Sequence, residues 1–214
     1  MKSKVCFRII MLFLFFMPYA SMAQIRYGKI TYERKTNLYK KFKDDEAKDW
    51  LRPEDKNKVD VFELYFTDSA SVFKPQESDL KERMSWATSK NTVYQNFAEN
   101  KCLSVKSIWG EDLYLMDSLV DREWKITESK RVISGYNCRK AIWQQNDSTR
   151  IYAWYTDDIV PNVGPESFYG LPGAILGLAT EDGGVIYFAK SVEGSKPDMH
   201  SRSEERRVGK ECRL

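Results

Sequence analysis

Residues 59–74 read VDVFELYFTDSASVFK, and the alternation in this stretch decides the fold. Phe62, Leu64 and Phe66 fall on one face of an extended chain and Val61, Glu63 and Tyr65 on the other, the period of two that a half-buried strand requires. The same texture continues in both directions. IRYGKITYERKT (25–36) precedes it. TVYQNF (92–97), CLSVKSIW (102–109), DLYLMDSL (112–119), REWKITESKRVI (122–133), CRKAIWQQ (138–145), RIYAWYT (150–156), AILGLAT (174–180) and VIYFAKSVE (185–193) follow it. These segments are rich in β-branched and aromatic residues and predict nine or ten strands. Turn residues separate them, most clearly Asn146-Asp147-Ser148 and Glu181-Asp182-Gly183-Gly184, whose Asp-Gly step suits a tight hairpin. Helical signal is confined to two short surface excursions, 42–52 stopped by Pro53 and 76–88 entered after Pro75. The expected fold class is all-β and antiparallel, a sandwich or a curved sheet closing part-way into a barrel, with one or two short helices.

Both ends of the 214-residue chain differ from this middle. Lys2, Lys4 and Arg8 precede the apolar run IIMLFLFFM, Pro18 breaks it, and Ser21-Met22-Ala23 supplies small residues at a cleavage point. That order predicts a signal peptide over residues 1–23, cut before Gln24, and hence an exported protein of the periplasm, envelope or exterior. The run Ile9–Met17 is too short to span a bilayer, so no transmembrane segment is expected after processing. From Ser201 the chain reads SRSEERRVGKECRL, charged and without period. The string SEERRVGKECR resembles a recurrent translation of adapter sequence found on unrelated reading frames, so residues 201–214 are expected to be non-native and residues 24–200 a single domain truncated at its carboxyl end.

The net charge of +3 belongs to these ends: the first 23 residues carry +3 and the last 14 carry +2, which leaves −2 for residues 24–200. A nucleic-acid surface needs a clustered positive field, and none is implied. Of the four cysteines, Cys102 and Cys138 lie in this middle. In an oxidising compartment an even pair reads as a disulfide, and the alternative is two buried reduced thiols. The only histidine, His200, lies at the suspected junction, so Ser-His-Asp and Cys-His chemistry and histidine metal sites have nothing to use. Carboxylates are what remains for acid–base work, namely Asp157, Asp158, Glu166, Glu181 and Asp182, although neighbours in a strand point to opposite faces. No cofactor or metal is implied.

The pieces GYNCRKA (135–141), AWYT (153–156), Gly164-Pro165 and YGLPGAILGL (169–178), in that order, resemble the GLPGLI family of exported Bacteroidota proteins. Ala174 stands where that family usually carries leucine. The resemblance implies a compartment and a lineage but no reaction, and members are often encoded near TonB-dependent outer-membrane transporters, which implies an envelope partner by analogy. The Asp-Ser steps at Ser69, Ser118 and Ser148 also resemble the sites at which such bacteria O-glycosylate exported proteins.

The motif Gly170, Leu171, Pro172, Gly173, Ala174, Ile175 has its own physical reading. Proline followed by glycine meets the requirements of a type II turn, and Gly177 in the strand beyond points to a bulge or a close backbone approach. Such a corner either starts a buried hairpin or presents a rigid recognition loop, with Trp154, Tyr155, Phe168 and Tyr169 as its aromatic contacts. No lysine-bearing helix follows, so it is not a phosphate loop. Three functions are consistent with this: a non-enzymatic envelope binding or structural module, a half-barrel carrier of lipid or another apolar ligand, and a hydrolase working with carboxylates alone.

Overall fold

The computed structural model describes residues 24–42, 48, 51–76, 83–108, 111–146 and 149–195. The expected signal peptide, the charged tail with His200, the expected turn at Asp147-Ser148 and the middles of both helix candidates lie outside the described residues. Among the described residues, no helix is long and apolar enough to cross a membrane.

Among the described residues eleven strands form one antiparallel sheet: β1 (Gly28–Asn37), β2 (Asn57–Phe66), β3 (Ala70–Pro75), β4 (Thr92–Asn96), β5 (Lys101–Ile108), β6 (Glu111–Ser118), β7 (Lys125–Ile133), β8 (Tyr136–Asn146), β9 (Thr149–Thr156), β10 (Ala174–Thr180) and β11 (Val185–Glu193). Their spatial order is β6-β5-β4-β3-β2-β1-β11-β10-β9-β8-β7. Strands β6 and β7 follow each other in the chain yet occupy opposite edges, so the sheet is open. It curls strongly enough that one apolar core joins Cys102 of β5 to Cys138 of β8. The antiparallel reading holds, and of the two expected architectures the part-closed curved sheet is the one present.

One more strand is present than the sequence reading counted. VDVFELYFTDSASVFK holds two strands, because the Thr67 amide donates to the Ala70 carbonyl at 2.9 Å and closes a hairpin at Asp68-Ser69. The Thr67 hydroxyl accepts from the Ser69 and Ala70 amides, the local bonding by which threonine favours a turn. The β10–β11 hairpin forms where expected. Asp182 accepts from the Gly184 amide at 2.9 Å and Gly183 adopts φ 67°. Among the described residues, helix consists of one turn, α1 (Leu38–Lys41), the helical residue Lys48, and 3-10 turns at Pro53–Lys56 and Ser85–Ala87. Leu38 of α1 packs with Leu51 and Ala87 in a small cluster separate from the main core.

Parity along β1 and β2 sets the inner face. Ile30, Tyr32, Arg34 and Thr36 all point inward, opposite Leu64, Phe62, Asp60 and Lys58 in register. Phe62 and Phe73 stack at 4.8 Å between ring centres, and Tyr187 meets both edge-on. Offset and edge-to-face pairs of this kind add to the stabilisation from burial.

Candidate functional site

The segment 157–173, between β9 and β10, fills the hollow of the sheet. Ile25, just after the expected cleavage point, donates to the Asp158 carbonyl at 3.0 Å and accepts from the Val160 amide at 2.9 Å. The Ala174 amide reaches the Ile159 carbonyl and the Ile175 amide reaches the Val163 carbonyl, so the segment lies back along β10. Ile159, Val163 and Leu171 are buried within the main core. The half-barrel is therefore plugged by its own chain.

The motif makes the corner of that plug, with a geometry unlike the one expected. The Gly173 amide donates to the Leu171 carbonyl at 2.7 Å, a three-residue turn around Pro172, while the Ala174 amide that a type II turn would direct to Leu171 goes to Ile159. Gly173 has φ 128°, and a Cβ there would stand 2.0 Å from the Thr156 carbonyl oxygen. Only glycine lets these two backbones pass. The expected irregularity at Gly177 is present twice over. The β9–β10 register shifts between Ile175 and Gly177, and a Cβ on Gly177 would stand 3.0 Å from Ile133 and 3.1 Å from Phe188. The Tyr32 hydroxyl donates to the Ile175 carbonyl at this bulge, at 2.6 Å, and its burial pushes the phenol well above the ordinary tyrosine range.

At one mouth of the plugged barrel a cavity of about 460 Å³ remains. Its floor is a ladder of charged and hydroxyl groups that the strand registers bring together. Arg34 of β1 lies opposite Asp60 of β2 on one side and Tyr187 of β11 on the other. Arg34 is 5% exposed and Asp60 2%, and the guanidinium donates to the carboxylate at 2.8 Å. Thr88 donates to the same oxygen, also at 2.8 Å. Burial pushes the Asp60 carboxyl up, but the hydrogen bonds from Arg34 and Thr88 outweigh it and hold the group below its ordinary range. The Arg34 plane lies 4.6 Å from the centre of the Phe62 ring. The Tyr187 hydroxyl donates to the Glu166 carboxylate, which stands 3.9 Å from Arg34. Glu166 reaches this position from the plug with φ 53°, a left-handed conformation that costs a residue of its kind energy. Lys41 donates to the Ala87 carbonyl at 2.6 Å on the rim, and burial, with help from Arg34, lowers its pKa. Phe168, Leu178 and Val185 give the cavity an apolar wall. The cavity thus has one hydrogen-bonding side and one apolar side.

The residues named from sequence divide between places. Trp154 and Tyr155 are neighbours in β9 and face opposite sides. Tyr155 is buried inside with Arg139 over its ring, and Trp154 packs outside with Phe188, Lys140 and Arg131. Arg122 lies 4.7 Å and 5.9 Å from the ring centres of Phe168 and Tyr169, Phe168 facing the large cavity and Tyr169 a smaller one next to β6. There the Trp124 indole donates to the Tyr169 carbonyl and Phe168 meets Trp143 edge-on. Glu166 and Asp182 both line the large cavity, but Asp182 is engaged by its own turn through Thr180 and Gly184. Asp157 pairs with Arg139, Asp158 accepts from Thr156, and Glu181 pairs with Arg150. Among the described residues no group of three metal-ligating side chains comes together.

The expected disulfide is replaced by two buried free thiols. Cys102 and Cys138 belong to β5 and β8, near opposite ends of the sheet order, and each packs separately into the shared core. Burial raises both thiols, that of Cys138 to about 11. Sequence reasoning missed Arg34, Asp60 and Tyr187. The signal was present, since Asp60 continues the phase of Phe62, Leu64 and Phe66, and a charged residue on an inward phase marks a buried polar site.

Comparison with known proteins adds a short family-model match and a likeness of fold. A family model described as a protein of unknown function (Porph_ging) matches residues 143–177, from the end of β8 through the plug into β10. No curated protein matches the chain. The structure of PNGF-II in the C2 space group is similar at 19% identity and a TM-score of 0.56, covering 80% of this chain and 28% of that one. The P21 form gives 18% identity and a TM-score of 0.57, covering 82% and 30%. At these identities the likeness concerns the fold, and the chain spans less than a third of the PNGF-II chains.

Proposed function

We propose that this chain is an exported, non-enzymatic binding module of the cell envelope that holds a small ligand at the mouth of a self-plugged half-barrel. The observation that carries the reading is the strained Glu166, held by Tyr187 and Arg34 over a cavity of about 460 Å³. Backbone strain of this kind persists where the surroundings enforce it and recurs at ligand clamps. The ligand presents hydrogen-bonding groups to Glu166, Arg34 and Lys41 and an apolar edge to Phe168 and Leu178.

The plug argues against a lipid carrier, because Ile159, Val163 and Leu171 occupy the space an acyl chain would need. A carboxylate-only hydrolase is less well supported than binding, since Asp182 is held in its turn by Thr180 and Gly184. Export follows from the signal-like start, and intact-mass analysis of protein recovered from a bacterial periplasm tests it. A mature chain beginning at Gln24 is expected, and retention of residues 1–23 counts against export. The binding reading is tested by thermal-shift screening of polar small molecules against wild type and Glu166→Gln. Ligands that stabilise the wild type and not the variant support it. Copurification of an equivalent of lipid revives the carrier instead.

A further inference from the structure

The open sheet leaves two edges, and only one of them is guarded. Strand β7 carries Lys125, Lys130 and Arg131, and its pairing with β8 is broken by an irregularity between Ile126 and Lys130. Cations and bulges are the usual devices that stop a sheet edge from recruiting another strand. Strand β6 has neither. It pairs with β5 in unbroken register from Lys101↔Ser118 to Ile108↔Glu111, and no described strand pairs with its other side. All eight residues are exposed. Four of them, Leu113, Tyr114, Leu115 and Met116, are consecutive and apolar, at 46%, 46%, 41% and 57% exposure. Both faces of the edge are therefore apolar at its centre, because successive side chains alternate.

Glu111 and Asp112 flank this centre on one side and Asp117 on the other. A smaller cavity of about 190 Å³ runs beside the strand, lined by Leu115 and Asp117 together with Cys102, Arg122 and Tyr169. A strand laid along β6 would turn alternate side chains toward the face on which this cavity opens.

From the unguarded edge, its acidic flanks and the adjoining cavity we infer that β6 is a docking edge for an extended peptide of a partner protein, apolar at its centre and basic at its flanks. Main-chain hydrogen bonds give such a complex its affinity, and the side-chain cavity and flanking charges give it register and selectivity. Charge argues against a second copy as the occupant. Antiparallel pairing of β6 with itself about the Tyr114–Leu115 step would set Asp112 against Asp117 at both ends, and like charges directly opposed are unfavourable. The smaller cavity shares no lining residue with the Glu166 cavity and the binding edge is β6, so this inference stands or falls independently of the ligand reading.

The test uses the mature chain and three synthetic peptides, KKVYVLVKK, EEVYVLVEE and KKVYPLVKK, followed by calorimetry and amide exchange. The basic peptide is expected to bind and to protect the β6 amides, while the acidic peptide and the proline peptide do not. The triple reversal Glu111→Lys, Asp112→Lys, Asp117→Lys is expected to weaken the basic peptide roughly tenfold, the sum of a few exposed charge pairs, and to admit the acidic one. The altered side chains are exposed, and an unchanged far-ultraviolet spectrum checks that the variant folds. Leu115→Lys, which places a cation on the edge itself, is expected to abolish binding in either background. Equal binding of both charged peptides, or no binding by the basic one, overturns the inference. So does a concentration-dependent dimer that Leu115→Lys dissociates, which would make a second copy the occupant.

Discussion

Substituting Gly173 by alanine asks whether the motif is a corner that backbone crossing dictates. At φ 128° a residue with a side chain is in a region open essentially to glycine alone, worth roughly 1–3 kcal/mol. The added methyl would also stand 2.0 Å from the Thr156 carbonyl oxygen and 3.0 Å from the Ile159 carbonyl oxygen. Both contacts are backbone, so neither can swing aside. Moving Ile159 would also weaken its bond from the Ala174 amide, a further cost of about 1 kcal/mol. The expected loss is therefore about 2–4 kcal/mol, and a domain of this size loses roughly 2–4 °C per kcal/mol, giving a fall in Tm of about 4–16 °C. Gly183→Ala is the matched control. Gly183 also has positive φ, at 67°, but nothing lies within 4 Å of its absent Cβ, so only the left-handed penalty of about 1–2 kcal/mol applies. Thermal unfolding followed by circular dichroism, with urea midpoints alongside, measures both. If Gly173→Ala costs no more than Gly183→Ala, the crossing of Gly173 over Thr156 is not what the motif is for.

Three further outcomes follow from the interior. Tyr32→Phe removes the donor to the Ile175 carbonyl at the bulge and is expected to cost about 1–3 kcal/mol in urea unfolding; no change would mean that water replaces it. Asp60 has a folded pKa below its unfolded value, so its contribution is present above an unfolded pKa of about 3.9 and is lost as pH falls through the lower folded value. Asp60→Asn should flatten that acid limb of a stability–pH curve, and an unchanged limb would remove Asp60 from the account. Cys102 and Cys138 are expected to resist alkylation at neutral pH and to react fully in denaturant, as peptide mapping would read out. Detection of a Cys102–Cys138 peptide in unreduced digests would restore the disulfide.

The fold was largely legible because its physics is local. Alternation alone places Phe62, Leu64 and Phe66 on one face, and the Asp-Gly step at 182–183 specifies its hairpin without help from the rest of the chain. What was not legible depends on pairings between distant segments. Arg34, Asp60 and Tyr187 become one cluster only when β2 and β11 flank β1, and neither pairing can be read across a sequence separation of 26 or more. The turn at Pro172 misled for the same reason. Its sequence satisfies a type II turn, and the Ala174 amide that would complete one is taken by Ile159 from across the plug. The pairing expected of the two cysteines rested on compartment, which says nothing of which strands carry them.

Plugging and openness have a common consequence for how this sheet could work. A closed barrel removes its edges but must leave its lumen empty to bind anything there. Here segment 157–173 supplies the core that a closed barrel would draw from its remaining circumference. Ile159, Val163 and Leu171 are each at most 1% exposed without β6 meeting β7. The cost of staying open is an unpaired strand edge, which selection against aggregation normally charges or kinks. Strand β7 shows both protections and β6 shows neither along its apolar centre, although its flanking acids keep a second copy of the same strand at a disadvantage. An edge bare of cations at its centre yet hostile to itself favours a different chain, and the most direct discriminator is the charge-reversal exchange of peptide preference at Glu111, Asp112 and Asp117.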